Sequence, residues 1–177
     1  MTTFIALLRG INVTGRKIVR MEQLRASFEA LGFRKVQTYV QSGNVVFEAA
    51  RASGLAKKIE EKIADDFGFP VPVLLRTTGE LATVIKRNPF LKDEDVDQSK
   101  LHVTFLSDDP PKTATALLQP LAADSERFQV IGREIYLYCP EGYGRTRLSN
   151  AAIEKKLSVG ATTRNWKTTN ALLAMAQ

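Results

Sequence analysis

Three short polar stretches carry the donors best suited to chemistry in this chain: RGIN at Arg9 to Asn12, QSGN at Gln41 to Asn44, and RNWKT at Arg164 to Thr168. Guanidinium forks, amides and hydroxyls without an adjacent acid suit the holding of an anion better than proton transfer. The candidate ligand-binding residues are therefore Arg9, Asn12, Lys17, Gln41, Ser42 and Asn44 from the first part of the chain, and Arg164, Asn165 and Lys167 from its end. Gly10 and Gly43 let a ligand approach the backbone closely. Each residue also has a competing role: Asn12 and Asn44 can satisfy turn backbone, and Arg9 can pair with a buried carboxylate or carbonyl.

Other chemistries find less support. His102 is the single histidine, on the apolar stretch LHVTFL, so a multi-histidine metal site is excluded and no metal is expected. Cys139 precedes Pro140 with no base beside it, which makes it a poor nucleophile. The acidic run DEDVD, Asp93 to Asp97, lacks EF-hand spacing, and EGYGRTR, Glu141 to Arg147, lacks the spacing of a phosphate loop. Tyr136 and Tyr138 alternate around Leu137, where packing competes with a base-stacking role. No nucleophile, base and orienter assemble, Glu48 and the acidic loops being unplaced, so no catalytic residue is assigned and no cofactor is implied.

The elements that must position these residues follow from periodicity. Residues 3 to 11 are apolar and strand-like; Met21, Leu24, Phe28 and Leu31 share one helical face, closed by Gly32. Val36 to Gln41 and Asn44 to Glu48 read as strands joined by a turn at Ser42-Gly43. Leu55, Ile59, Ile63 and Phe67 mark a second helix, and Val71 to Arg76 a strand whose Pro72 points to a sheet edge. The order βαββαβ is the ferredoxin-like split arrangement. It sets the end of the first strand beside the turn between the second and third, so RGIN and QSGN become neighbours. The loop after Arg9 adds Arg16, Lys17 and Arg20 to that edge.

The same order begins again about 98 residues later: a strand over Lys100 to Ser107, a helix over Lys112 to Ala123 interrupted or ended near Pro120, a hairpin around Gly132, and a helix over Ser149 to Leu157. Where a fourth strand is due, ATTRNWKTTNALLAMA reads instead as a terminal helix starting near Arg164, capped by Thr162 or Thr163 and anchored by Trp166. The expected fold is α+β, two ferredoxin-like halves over residues 1–78 and 100–177, the second ending in a C-terminal helix. Residues 79–99 form a linker with a short helix and the acidic loop.

Composition bounds the class. With 44% hydrophobic and 25% charged residues, 177 residues bury enough surface to fold without disulfides or metals, and no apolar run reaches membrane-span length. Arg9 directly after the first apolar run argues against a signal peptide, and the lone cysteine fits a reducing cytoplasm. Residues 1–40 carry +5 and residues 141–177 carry +4, leaving −3 for the middle, within a total of +6. If folding joins the two ends, a cationic edge results.

At ALLRGINVTGRK, MEQLRASFEALGF, YVQSGNVVF and TTRNWKT the sequence resembles a bacterial family known as domain of unknown function 1697; NPF, HVTFL and EIYLY also look like family segments. The resemblance spans nearly the whole chain and implies a pair of ferredoxin-like units, with no activity attached. The chain departs from the expected family pattern at Val13-Thr14-Gly15, where a second glycine would be anticipated; Thr14 stiffens the loop.

Three functional readings follow. The first is a cytoplasmic binding domain for an anionic small molecule or nucleic acid, with no membrane partner. The second is an enzyme acting on a small phosphorylated or carboxylated substrate, Arg9 and Arg164 serving as anion clamps. The third is a self-association module, a homodimer formed through the terminal helix and the edge strand at Val71 to Arg76.

Overall fold

The computed structural model describes all residues, 1–177. The chain divides into two compact units, Met1–Ala82 with Leu172–Gln177, and Thr83–Ala171. No helix is long and apolar enough to cross a membrane.

In the first unit β1 (Thr2–Leu8), α1 (Met21–Ala30), β2 (Arg34–Tyr39), β3 (Asn44–Ala49), α2 (Leu55–Phe67) and β4 (Val73–Thr77) follow in the expected order. The sheet runs β2-β3-β1-β4, every neighbour antiparallel. Pro72 stops just short of the edge strand β4, where its missing N–H disturbs no ladder. Phe4, Ala6 and Leu8 of β1 and Val45, Phe47 and Ala49 of β3 meet Leu24, Phe28, Ile59 and Ile63 of the two helices in one core. The four-residue spacing in α2 thus reports a single buried stripe, and Gly68, at φ 81°, closes that helix. The alternate residues Ile5, Leu7 and Val46 are buried as well, which explains why β1 reads as an unbroken apolar run.

The second unit repeats this plan with β5 (Leu101–Leu106), α4 (Ala114–Leu118), β6 (Arg127–Ile131), β7 (Glu134–Tyr138), α5 (Asn150–Leu157) and β8 (Ala161–Asn165), in sheet order β6-β7-β5-β8. Its core joins Leu106, Ile135, Leu137 and Ala161 to Leu118, Ile153 and Leu157. The helix expected over Lys112 to Ala123 is shorter than anticipated: α4 gives way at Gln119 to a single 3₁₀ turn containing Pro120, which cannot donate an intrahelical bond.

One expectation is corrected. The fourth strand of the second half exists: Val103 pairs with Arg164 and Thr104 with Thr163 in the antiparallel ladder between β5 and β8. The terminal helix α6 starts only at Trp166 and runs to Ala176. Its first turn is held by Asn165, whose Oδ1 accepts from Thr168 N at 2.7 Å, rather than by Thr162 or Thr163. Paired β-branched threonines favour the extended backbone that a ladder to β5 can satisfy. Trp166 is buried, as its anchoring role requires.

Nor does a helix after the fourth strand break the repeat. In the first half α3 (Thr78–Lys86) likewise follows β4 without a gap, and Thr77 Oγ1 accepts from Glu80 N at 3.2 Å, matching Asn165 and Thr168. The repeating unit is therefore βαββαβα. The bonds closing the two sheets correspond one to one. Leu8 N donates to Gly43 O at 2.9 Å, and Leu106 N to Arg133 O at 2.9 Å; Arg9 N donates to Pro72 O at 3.0 Å, and Ser107 N to Gly160 O at 2.9 Å. A helix carboxylate receives the first amide of each fourth strand, Glu60 from Val73 at 2.9 Å and Glu154 from Ala161 at 3.0 Å. Buried Arg76 and Arg164 each donate to the preceding carbonyl, at 2.9 and 3.0 Å.

Candidate functional site

RGIN and QSGN meet as the topology demands. Leu7 is the register partner of Asn44, so β1 runs out beside the β2–β3 turn. Gly43 seals the junction: at φ 89°, a Cβ built on it would lie 2.7 Å from Ile11 Cδ1 and 2.8 Å from Leu8 Cβ. Only glycine accepts both the backbone conformation and the contact.

Asn12 organises the loop that follows. Its Nδ2 donates to Val19 O at 3.0 Å and across to Gln41 O at 2.8 Å, its Oδ1 accepts from Val19 N at 2.8 Å, and its backbone N–H donates to Lys17 O at 3.0 Å. One side chain ties residues 12–19 into a closed loop and fastens it to the turn. Asn44, fully buried, braces the other side by donating to Tyr39 O at 2.8 Å and Ser42 Oγ at 3.0 Å. Asn12 and Asn44 thus aim their amides at protein acceptors and hold the site's shape, while Gln41 and Ser42 are exposed on the turn.

The backbone of this rim is unusual. Gly10, Asn12, Thr14, Gly15 and Lys17 in the loop, and Val40 and Gly43 in the turn, all have φ between 46° and 89°. For the β-branched Thr14 and Val40 this is strained, and strain of this kind gathers at binding sites. Thr14 stands where the family pattern suggested glycine and has φ 51°, the conformation glycine adopts freely.

Arg16, Lys17 and Arg20 stand exposed on the loop. Lys17 Nζ reaches Pro70 O at 3.4 Å, and neither Arg16 nor Arg20 forms an ion pair. No acidic residue precedes Glu22 in the chain, so nothing within the loop neutralises them. Arg9 is half-buried at its root, its N–H donating to Pro72 O. Apolar side chains are interleaved with these cations: Val13, Ile18 and Val40 are 56%, 64% and 47% exposed.

Arg164, Asn165 and Lys167 belong to the second unit. Arg164 does not face outward as anticipated for an anion clamp. It is buried, its Nη1 donating to Thr162 Oγ1 at 2.8 Å and Thr163 O at 3.0 Å, and burial pulls its pKa down to about 10. Asn165 is occupied as the α6 cap, while Lys167 is exposed on the first turn of that helix.

His102 stacks on Tyr143 at 4.8 Å, and burial holds its pKa below the usual range. Burial likewise pushes the Cys139 thiol up to about 11, away from nucleophile behaviour. Tyr136 is buried and donates to Val84 O at 2.6 Å, so it packs rather than stacks on a ligand. Tyr138 and Phe90 flank Arg127, at 5.2 and 5.3 Å from the guanidinium carbon, and Asp93 pairs with the same arginine at 3.0 Å. Sequence periodicity gave no signal for that cluster, which joins residues far apart in the chain.

A family model described as "Protein of unknown function (DUF1697)" matches residues 1–136. Among solved structures, the conserved bacterial protein SP0830 from Streptococcus pneumoniae is similar in fold, with TM-score 0.78 at 22% identity over 99% of each chain. No curated protein matches.

Proposed function

The chain belongs to the DUF1697 family, and we propose that it is a binding domain for a phosphate-bearing polyanion, a single nucleic-acid strand, received on the rim at the end of β1. The observation carrying this reading is the exposed, unpaired Arg16 and Arg20 on a loop that Asn12 locks to the QSGN turn. Arg9, Arg16, Lys17 and Arg20 offer charge to successive phosphates, Gln41 and Ser42 offer hydrogen bonds, and Val13, Ile18 and Val40 lie where the apolar faces of unpaired bases can rest. An isolated mononucleotide would use the charges but leave the three aliphatic side chains in water, which favours the strand.

Titration of a twelve-nucleotide RNA strand, and separately of ATP, at 50 and 200 mM salt tests the proposal. Four phosphate contacts give a logarithmic salt slope of about −2.8 on a single strand, so affinity falls roughly fiftyfold over that range. Arg16→Ala and Arg20→Ala each weaken binding and flatten the slope by about 0.7. Absence of strand binding at low salt defeats the reading, and binding of ATP without the strand replaces it with a nucleotide site.

A further inference from the structure

We propose that β6, an open edge of the second sheet, pairs antiparallel with β6 of a second copy of this chain, joining two four-stranded sheets into one. The order β6-β7-β5-β8 leaves β6 with a strand on one side only. Its register against β7 runs unbroken from Arg127 opposite Tyr138 to Ile131 opposite Glu134, and Gly132 and Arg133 alone connect the two strands. A two-residue hairpin closes on a hydrogen-bonded pair, and such pairs alternate along an antiparallel ladder. The far side of β7 keeps the same phase: Arg133 O accepts from Leu106 N at 2.9 Å and Cys139 N donates to Lys100 O at 3.1 Å, so the odd-numbered residues there bond toward β5 and the even-numbered ones toward β6. The main-chain groups of Arg127, Gln129 and Ile131 therefore point at β7. Those of Phe128 and Val130 point away from it, and no turn or loop bond takes them.

The first half shows how an edge at the same place is closed to such pairing. β2 carries a register shift between Arg34 and Gln37, and Lys35 within it has φ 51° and pairs with Glu48 at 3.0 Å. A bulge and a lysine are ordinary devices for blunting an edge. β6 has neither: no proline or shift interrupts it, and its one charge, Arg127, is held at the strand's start by Asp93 at 3.0 Å. A second copy is the favoured occupant because the strand complements itself. With a two-fold axis at Gln129, Phe128 meets the partner's Val130 and Val130 meets the partner's Phe128, each as a hydrogen-bonded pair. Phe128 and Val130 both pack on the core of the second unit, so the pairing continues one apolar layer into the other. Arg127 then faces the partner's Ile131, which keeps the two like charges apart. A shift by two residues leaves only one of these pairs inside the strand, and an unrelated peptide gains the ladder without this matching of both faces.

A single strand pair is a small interface, so association is weak and is read by sedimentation velocity of the full chain from about 10 μM to about 1 mM. A monomer–dimer equilibrium is expected, with hydrogen exchange at the Phe128 and Val130 amides slowing as concentration rises. Gln129 is exposed, so its charge can be changed without cost to the fold, and in this register its two copies stand directly opposite each other. Gln129→Glu and Gln129→Lys are each expected to raise the dimer dissociation constant about fivefold at low salt, through like charges, and an equimolar mixture of the two to restore association. A monomer throughout the concentration range overturns the proposal and leaves the edge to a strand of other origin. A dimer undiminished by both substitutions, or a mixture that associates no better than its components, also overturns it by placing the contact elsewhere.

Discussion

Gly43 lies against Ile11 so closely that a single added carbon would sit 2.7 Å from the isoleucine Cδ1. The turn between β2 and β3 and the exit of β1 are therefore packed together through a hydrogen atom's width, and the rim inherits its shape from that contact.

Replacing Gly43 with alanine adds left-handed backbone strain of about 1–2 kcal/mol and overpacking of about 1–3 kcal/mol. We expect Gly43→Ala to lower stability by about 2–5 kcal/mol, read as a reduced urea midpoint. A loss below about 0.5 kcal/mol, the scale of an ordinary surface change, contradicts the packing described.

At Thr14 the sign reverses. Its φ of 51° strains a β-branched residue, and the substitution Thr14→Gly removes that strain while adding chain entropy to the unfolded state. A gain of up to about 1 kcal/mol is expected. Thr14→Ala keeps the strained backbone and should give no gain. A fall in midpoint for the glycine variant refutes the argument.

His102 supplies a pH dependence that no other side chain confuses, because the chain holds one histidine. Burial lowers its folded pKa beneath the unfolded value of about 6.5. Below that value the unfolded chain binds the proton more readily, so stability present at higher pH is lost as pH falls through about 6.5 toward the folded pKa. The urea midpoint should be lower at pH 5.5 than at 7.5, and His102→Gln should flatten the difference. A profile identical in both proteins dismisses the histidine as its source.

Much of the fold was legible because single buried stripes write themselves into spacing. Leu55, Ile59 and Ile63 gave α2, Gly68 its end, and Pro72 the edge. The meeting of RGIN with QSGN followed from topology alone, since strand order fixes which loops share an end. β8 was missed because Thr162 and Arg164 are buried on one side of it while Ala161 is buried on the other, leaving no polar–apolar alternation to read. The inward turn of Arg164 was equally hidden, as a buried arginine satisfied by its own strand's carbonyl looks in sequence like any surface cation.

The paired bonds of Leu8 with Gly43 and of Leu106 with Arg133 run entirely through main-chain atoms. The side chains just beyond them consequently differ without cost to the closure: the first half continues into Arg9, Arg16 and Lys17, the second into Asp108 and Asp109. One main-chain closure thus serves two scaffolds, of which the first bears cations at this place and the second bears carboxylates.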